Sequence, residues 1–273
     1  MMKPNAEANK DMRKLMRATL VMSVALPGLL SSGLFGQASP TAATSPAGLG
    51  GNTWGLEDPK GPAPRLAGGK PDFSGVWIGG GPVGDLALGM PKGETIPLLP
   101  SAEKIMKARL SKDDPEANCL PAGIPRMAPY PWTIATAPGR LYFLFEGNIH
   151  SFRQIFMDGR AHPKDPDPTW YGHSVGRWDG DSLVVDTMGF NDLFWFDFRG
   201  HPHTEQLRTV ERYTRTNFGT MQVATTIDDP GAYSKPFTVT FTARLMPKGE
   251  LMEYICQENN QDVKHIQGPA GVP

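Results

Sequence analysis

Apolar and polar residues alternate over many short stretches of this chain, which is the period of β-strands. The first such stretch, 71–78, reads Pro-Asp-Phe-Ser-Gly-Val-Trp-Ile. Turn dipeptides such as Pro138-Gly139 and Asp179-Gly180 separate the later stretches and favour tight hairpins. The further predicted strands cover residues 133–137, 140–146, 151–157, 174–178, 182–187, 206–216, 221–228, 237–245 and 251–257.

One short helix is predicted at residues 102–110, after the candidate N-cap Ser101. The strands and their turns predict an all-β fold with this minor helical part. We expect an antiparallel meander closed into a β-barrel of about eight to ten strands, because closure removes the edges of a sheet. A barrel of that size has room for one small ligand, so function is expected inside it or at its mouth.

The first 38 residues have the layout of a secretory signal peptide. Basic residues precede an apolar run, 18–35, and Gly36-Gln37-Ala38 offers small residues for cleavage. We therefore expect a periplasmic or secreted protein. The expected divisions are the signal peptide (1–38), a flexible segment rich in Pro, Ser, Ala and Gly (39–70), the barrel domain (71–260) and a C-terminal tail (261–273).

The charge balance excludes one class of partner. The chain has 27 basic and 28 acidic residues, and removal of the leader leaves 22 basic and 26 acidic residues. A mildly acidic protein lacks the basic surface that phosphates require, so nucleic acid is not an expected partner. No later apolar run is long enough to predict a membrane span in the mature chain, and the oligomeric state is left open.

The chain has two cysteines, Cys119 and Cys256, and both follow the expected cleavage site. In an oxidising compartment two thiols are expected to form a disulfide rather than a metal pair. Two unpaired buried thiols are the alternative.

The densest polar cluster is 200–205, Gly-His-Pro-His-Thr-Glu. In an extended chain, His201, His203 and Glu205 share one face. An imidazole beside a carboxylate titrates near neutral pH and stays oriented. We expect His201 or His203 to be a catalytic base, with Glu205 as its orienting partner. The alternative is a loop whose histidines cap backbone groups or face water.

The same two imidazoles also suit a divalent metal ion, through nitrogen and a nearby carboxylate. A metal at His201 and His203 is therefore an alternative, with a third nitrogen from His150, His162 or His173. No other cofactor is expected.

The preceding loop, 189–198, places aromatic side chains around Asp192 and Asp197. Burial against aromatic rings favours the protonated form of a carboxyl group, so these two are candidate proton donors. A hydrophobic plug with solvated tips is the alternative, and Glu211 also suits an ion pair. The side chains expected to bind the ligand are Tyr130, Tyr171, His173, Phe194, Trp195 and Glu211.

The triplet Gly75-Val76-Trp77 resembles the Gly-x-Trp signature of the lipocalin-like (calycin) superfamily, in which the Trp closes one end of the barrel. The proline-rich region around the helix departs from that pattern. The chain from 71 to 260 also resembles an uncharacterised family of exported bacterial proteins. That resemblance implies fold and compartment, and no reaction. The stretches that carry it are 71–77, 153–160, 174–185 and 200–203.

Three functions are compatible with these patterns. The first is an exported lipocalin-like enzyme that acts on a small apolar or aromatic molecule by acid–base lyase or isomerase chemistry, such as hydration, dehydration or cyclisation. The second is a barrel that binds a small hydrophobic ligand without changing it. The third is a metalloenzyme that uses histidine and carboxylate ligands.

Overall fold

A computed structural model describes residues 60–127, 130–147, 151–258, 260–261 and 265–271 of the chain. They form a closed barrel of nine strands in chain order, in which β9 returns to pair with β1. The predicted closed, mostly-strand barrel with one short helix is confirmed. The strands are β1 Val76–Gly79, β2 Trp132–Ala137, β3 Arg140–Phe145, β4 Ser151–Phe156, β5 His173–Asp179, β6 Ser182–Met188, β7 Arg208–Arg215, β8 Thr220–Asp228 and β9 Phe237–Met246.

The barrel is mixed rather than wholly antiparallel. β4 and β5 run parallel and pair only through Ile155 with Ser174 and Phe156 with Val175. A parallel pair needs a crossover of about a dozen residues or more, and the connection 157–172 supplies it. The predicted antiparallel meander is therefore wrong at this one junction, because the long loop lets β5 start beside the end of β4 and run in the same direction.

Two local predictions are also corrected. Residues 251–257 form no strand. The helix, α1, spans Pro100–Ala108 with Leu99 as its N-cap, so Ser101 lies inside it. Proline is favoured at the first helical position because its missing N–H is not needed there.

The predicted disulfide between Cys119 and Cys256 is present. It ties the C-terminal segment to the turn that follows α1, across a separation of 137 residues. The predicted signal peptide, 1–38, lies outside the described residues.

Both flanking segments have described residues that contact the barrel domain. In the segment 39–70, Arg65 forms an ion pair with Asp181 in the turn between β5 and β6. In the segment 261–273, the backbone N–H of Ala270 donates to the carbonyl oxygen of Arg109.

The barrel interior is filled with aromatic rings along one wall. Trp77 stacks on Trp132, Trp132 stacks on Phe143, and the Phe143 ring lies 5.2 Å from the Tyr213 ring. All four side chains are fully buried. They occupy space that was expected to hold a ligand, because side chains alone fill the interior of a small barrel.

Beside these rings, the interior holds a polar network centred on Arg153 of β4. Its Nε donates to Ser174 Oγ (3.0 Å), its Nη2 to Thr187 Oγ1 (2.6 Å), and its two terminal nitrogens to the carboxylate of Glu211. The Tyr213 hydroxyl donates to the same carboxylate at 2.6 Å. Arg153 therefore joins β4 to β5, β6 and β7 through side chains. Glu211, which was expected to bind a ligand, is instead the buried counter-ion of this guanidinium.

We expect Glu211→Gln to destabilise the protein by about 3–5 kcal/mol, because it leaves a buried guanidinium without its counter-ion. Urea unfolding measures the loss. The matched control is Glu205→Gln, an exposed position where the change is expected to stay within about 0.5 kcal/mol. Equal unfolding midpoints for the two variants would show that the pair does not hold the barrel.

Candidate functional site

The largest of the three cavities described, with a volume of about 720 Å³, lies along the edge of β4 that faces β5. It contacts the consecutive residues 151–154, whose side chains alternate between the two faces of the sheet. A cavity that touches four consecutive strand residues follows the edge of the strand rather than one face. We call this cavity, with walls from 151–156 and 163–174, the seam cleft.

The seam cleft exists because the two strands separate beyond their short parallel pairing. Gly172 turns the chain away with a φ of +62°, and a Cβ there would meet the carbonyl oxygen of Met188 at 2.7 Å. A glycine is required at this point. The hydroxyls of Ser151 and Tyr171 then meet across the opening at 2.8 Å. A side-chain hydrogen bond thus joins the start of β4 to the loop before β5, where the two backbones are not paired.

Much of the cleft wall is apolar. The Phe152 side chain is 61% exposed although it belongs to a strand, and it lines the cleft. Such a surface suits the flat, apolar part of a small ligand. The other apolar side chains in the wall are Phe156, Trp170, Pro121, Pro163 and Pro166.

A pair of imidazoles lies at one side of the cleft. His173 lies on the outer face of β5, since its neighbour Ser174 points into the barrel and is fully buried. The His173 ring stacks on Phe156 at 5.1 Å, and its Nδ1 lies 2.9 Å from Nδ1 of His162. Burial, with the nearby His162 and Arg160, lowers the pKa of His173. His173 is therefore a neutral imidazole at pH 7.

Tyr171 is the second titratable group in the cleft. Its ring stacks on Phe145 at 5.4 Å, and burial raises its pKa to about 12. The phenol therefore keeps its proton at neutral pH and can donate it. Tyr171 and His173 were both expected to line the ligand site, and the structure places both in the seam cleft, at the side of the barrel rather than at its mouth.

His203, an expected catalytic base, lies apart from the seam cleft. Its ring packs 3.8 Å from that of Phe194 and 5.2 Å from that of Phe196. Its Nδ1 donates to the carbonyl oxygen of Thr204 at 3.3 Å, and burial lowers its pKa to about 4. His203 is thus a neutral core residue, and Phe194, expected to bind ligand, packs against it. Neither lines any of the three cavities described.

His201, the other expected base, is oriented by Asp197 rather than by Glu205. Its Nδ1 donates to Asp197 Oδ2 at 2.6 Å, and the same oxygen accepts the backbone N–H of Leu86 at 2.5 Å. Asp197, an expected proton donor, is fully buried and fixes this loop. Glu205 is exposed on a turn. His201, His203 and Glu205 do not share one face of a strand, because β7 begins only at Arg208.

The remaining expected site residues are dispersed. Asp192, the other expected proton donor, is exposed. Trp195 is buried, and the Arg109 guanidinium lies over its indole with the guanidinium carbon 4.6 Å from the ring centre. Tyr130 stacks on Tyr254 at 5.9 Å, and burial raises its pKa to about 12. Tyr130 borders the two smaller cavities, of about 500 and 20 Å³, and not the seam cleft.

One group of described side chains has metal-ligand spacing. Asp85, Asp197 and His201 offer atoms within 4.8 Å of one another. Their oxygens, however, already accept protein hydrogen bonds. Asp85 accepts from the backbone N–H of Ala87 at 2.8 Å and from Arg199 at 2.9 Å. A cation would have to displace Arg199 and break these bonds, so the group fits a loop-fixing network better than a metal centre.

The expected metal pair of His201 and His203 is not assembled, since no such group among the described residues contains His203. Of the expected third ligands, His162 and His173 lie together at the seam cleft, and His150 lies outside the described residues.

The role of His162 beside His173 had no signal in the sequence. The two residues are eleven positions apart, and the intervening chain is an irregular loop, so no periodicity relates them. Phe152 was likewise indistinguishable from the core residues of a strand. Its side chain lies on the outer face of β4, since the alternate residues Arg153 and Ile155 are the buried ones.

Comparison of the chain with protein-family models, with curated proteins and with solved structures finds no match. The structure confirms the closed barrel expected from the sequence, while the resemblances to the lipocalin-like superfamily and to a family of exported bacterial proteins gain no further support. No helix in the described ranges is long and apolar enough to cross a membrane.

The buried imidazole of His203 predicts a pH-dependent stability. Its pKa of about 4 lies below the ordinary 6.5, so the unfolded chain takes up a proton first. The free energy of unfolding should be intact above pH 6.5 and fall by about 1.4 kcal/mol per unit as pH drops towards 4. In His203→Phe this fall should be smaller. Urea unfolding from pH 4 to 7 checks it.

The control for this series is His265→Phe, because His265 is exposed. Its pH dependence should match that of the wild type. Identical curves for the wild type and His203→Phe would contradict a neutral, buried His203.

Proposed function

We propose that this protein is an exported β-barrel enzyme that acts on a small apolar or aromatic molecule in the seam cleft by acid–base lyase or isomerase chemistry. The observation that carries the proposal is the neutral His173 imidazole in the cleft wall. Its Nδ1 is engaged by His162, and its Nε2 makes no hydrogen bond within the described residues. A neutral, oriented imidazole in a partly apolar cleft is suited to accept a proton.

Tyr171 is the proposed acid. Its phenol keeps its proton at neutral pH and lies in the same cleft, with Ser151 hydrogen-bonded to it. A proton taken by His173 and one given by Tyr171 leave the proton count of the substrate unchanged, as an isomerisation requires. In a dehydration the proton from Tyr171 would leave with the departing hydroxide as water.

The apolar side chains around the cleft support a substrate that is small and apolar or aromatic. Phe152 and Trp170 offer ring faces, and the cleft volume of about 720 Å³ accommodates a molecule of one or two rings. Export is supported by the leader-like N-terminus and by the disulfide, since disulfides persist mainly in oxidising compartments.

A second candidate function is binding without chemistry. The exposed ring of Phe152 favours it, because an apolar wall alone is enough to hold a hydrophobic ligand. The two functions differ in whether His173 is needed for a bound molecule to change.

We expect the protein to accelerate hydrogen–deuterium exchange at the acidic CH₂ groups of 2-tetralone, an aromatic ketone, because exchange needs only a base and an apolar site. Substitution His173→Gln should lower the acceleration at least tenfold, which corresponds to about 1.4 kcal/mol of transition-state stabilisation. Proton NMR in D₂O follows the exchange.

The matched control is His265→Gln, which alters an exposed imidazole outside the cleft and should exchange at the wild-type rate. Tyr171→Phe should bind 2-tetralone but exchange more slowly. Wild-type rates in His173→Gln would refute the assignment of the base. Bound but unexchanged 2-tetralone in the wild type would favour the binding function.

A further inference from the structure

We propose that Asp186 and His162 form a relay that fixes the tautomer of His173, with the hydrogen on Nδ1 and the lone pair on Nε2. His162 and Asp186 are then positioning residues. Their importance for activity rests on the proposed function of His173, whereas the tautomer itself is a property of the free protein.

The relay starts at Asp186 in β6. Arg208 holds this carboxylate, with Nε donating to Oδ1 at 2.8 Å and Nη2 donating to Oδ2. Burial works to raise the pKa of Asp186, but the hydrogen bond and charge of Arg208 outweigh it and lower the pKa. The group is therefore an anion at neutral pH, fixed in place beside the loop that carries His162.

The second step fixes the hydrogen on His162. Its Nε2 is buried, makes no hydrogen bond within the described residues, and lies 3.6 Å from Asp186 Oδ1. That separation is too long for a hydrogen bond but short for an electrostatic contact. A lone pair facing the anion would be repelled and an N–H attracted, so the hydrogen of His162 belongs on Nε2.

The third step passes this choice to His173. The two Nδ1 atoms are 2.9 Å apart, a distance that requires one to donate and the other to accept. Since the Nδ1 of His162 carries the lone pair, the Nδ1 of His173 carries the hydrogen. The Nε2 of His173 is then left with the lone pair that a general base needs.

The surroundings of His173 favour its neutral form, because burial, His162 and Arg160 all lower its pKa. Arg160 adds a nearby positive charge, and the ring of Phe156, on β4, stacks against the imidazole of His173. These contacts hold the ring plane of His173, while His162 determines which nitrogen is free.

Long-range ¹H–¹⁵N NMR of the full-length mature protein, labelled with ¹⁵N, tests the relay at neutral pH. The wild type should show His162 protonated at Nε2 and His173 protonated at Nδ1. Asp186→Asn removes the charge and can present an amide N–H to His162. The tautomer ratio of His173 should then shift at least fivefold towards Nε2–H.

The matched control is Asp179→Asn. Asp179 also pairs with an arginine, Arg212, and lies at the far end of β5 from His173. This variant should keep the wild-type tautomers. A wild-type spectrum with His173 protonated at Nε2 overturns the relay whether or not any variant folds. An unchanged ratio in a folded Asp186→Asn removes Asp186 from it.

The relay and the proposed function can fail separately. If the tautomers are as expected but 2-tetralone does not exchange, the relay stands and the enzymatic role fails. If exchange depends on His173 but the wild-type tautomer is the opposite one, the base stands and the relay fails. With both correct, Asp186→Asn should slow exchange at least fivefold while Asp179→Asn leaves it unchanged.

Discussion

Side-chain hydrogen bonds from the buried guanidinium of Arg153 hold β4 against β5, where the backbone contributes only a short ladder. These strands share only two residue pairs, yet the barrel is closed. Arg153 reaches Ser174 on β5, Thr187 on β6 and Glu211 on β7 from inside. A buried charge pair tolerates little distortion, because each group loses much solvation and regains it only in good geometry. The barrel can therefore stay closed with only a two-pair backbone ladder at this junction.

The seam cleft is the consequence of this arrangement. A continuous ladder would have sealed the barrel wall, whereas side-chain bridges at Arg153 and Tyr171 leave an opening between them and the loop. The interior remains filled with aromatic rings. The proposed site therefore lies in the wall of the barrel, where His173 and Phe152 are accessible, and not in a central cavity.

Histidines of one chain have different chemistry because of what surrounds them. His203 is enclosed by phenylalanine rings and kept neutral, and His201 is bonded to a buried carboxylate. His173 is neutral and partly accessible, and among the described residues only its Nδ1 is hydrogen-bonded. The Gly-His-Pro-His segment is prominent in the sequence because its two histidines are only two positions apart. Proximity along the chain does not decide which imidazole faces a cavity.

The sequence by itself determined most of the elements: the two-residue alternation and the turn dipeptides specify local strands and hairpins, and the two cysteines indicate their bridge. It also singled out Tyr171 and His173, which lie beside the turn at Gly172. Tertiary structure alone decided the parallel junction, the burial of Glu211 by Arg153 and the contact of His162 with His173. These depend on where a long irregular loop returns to the sheet, and no short-range periodicity encodes that path.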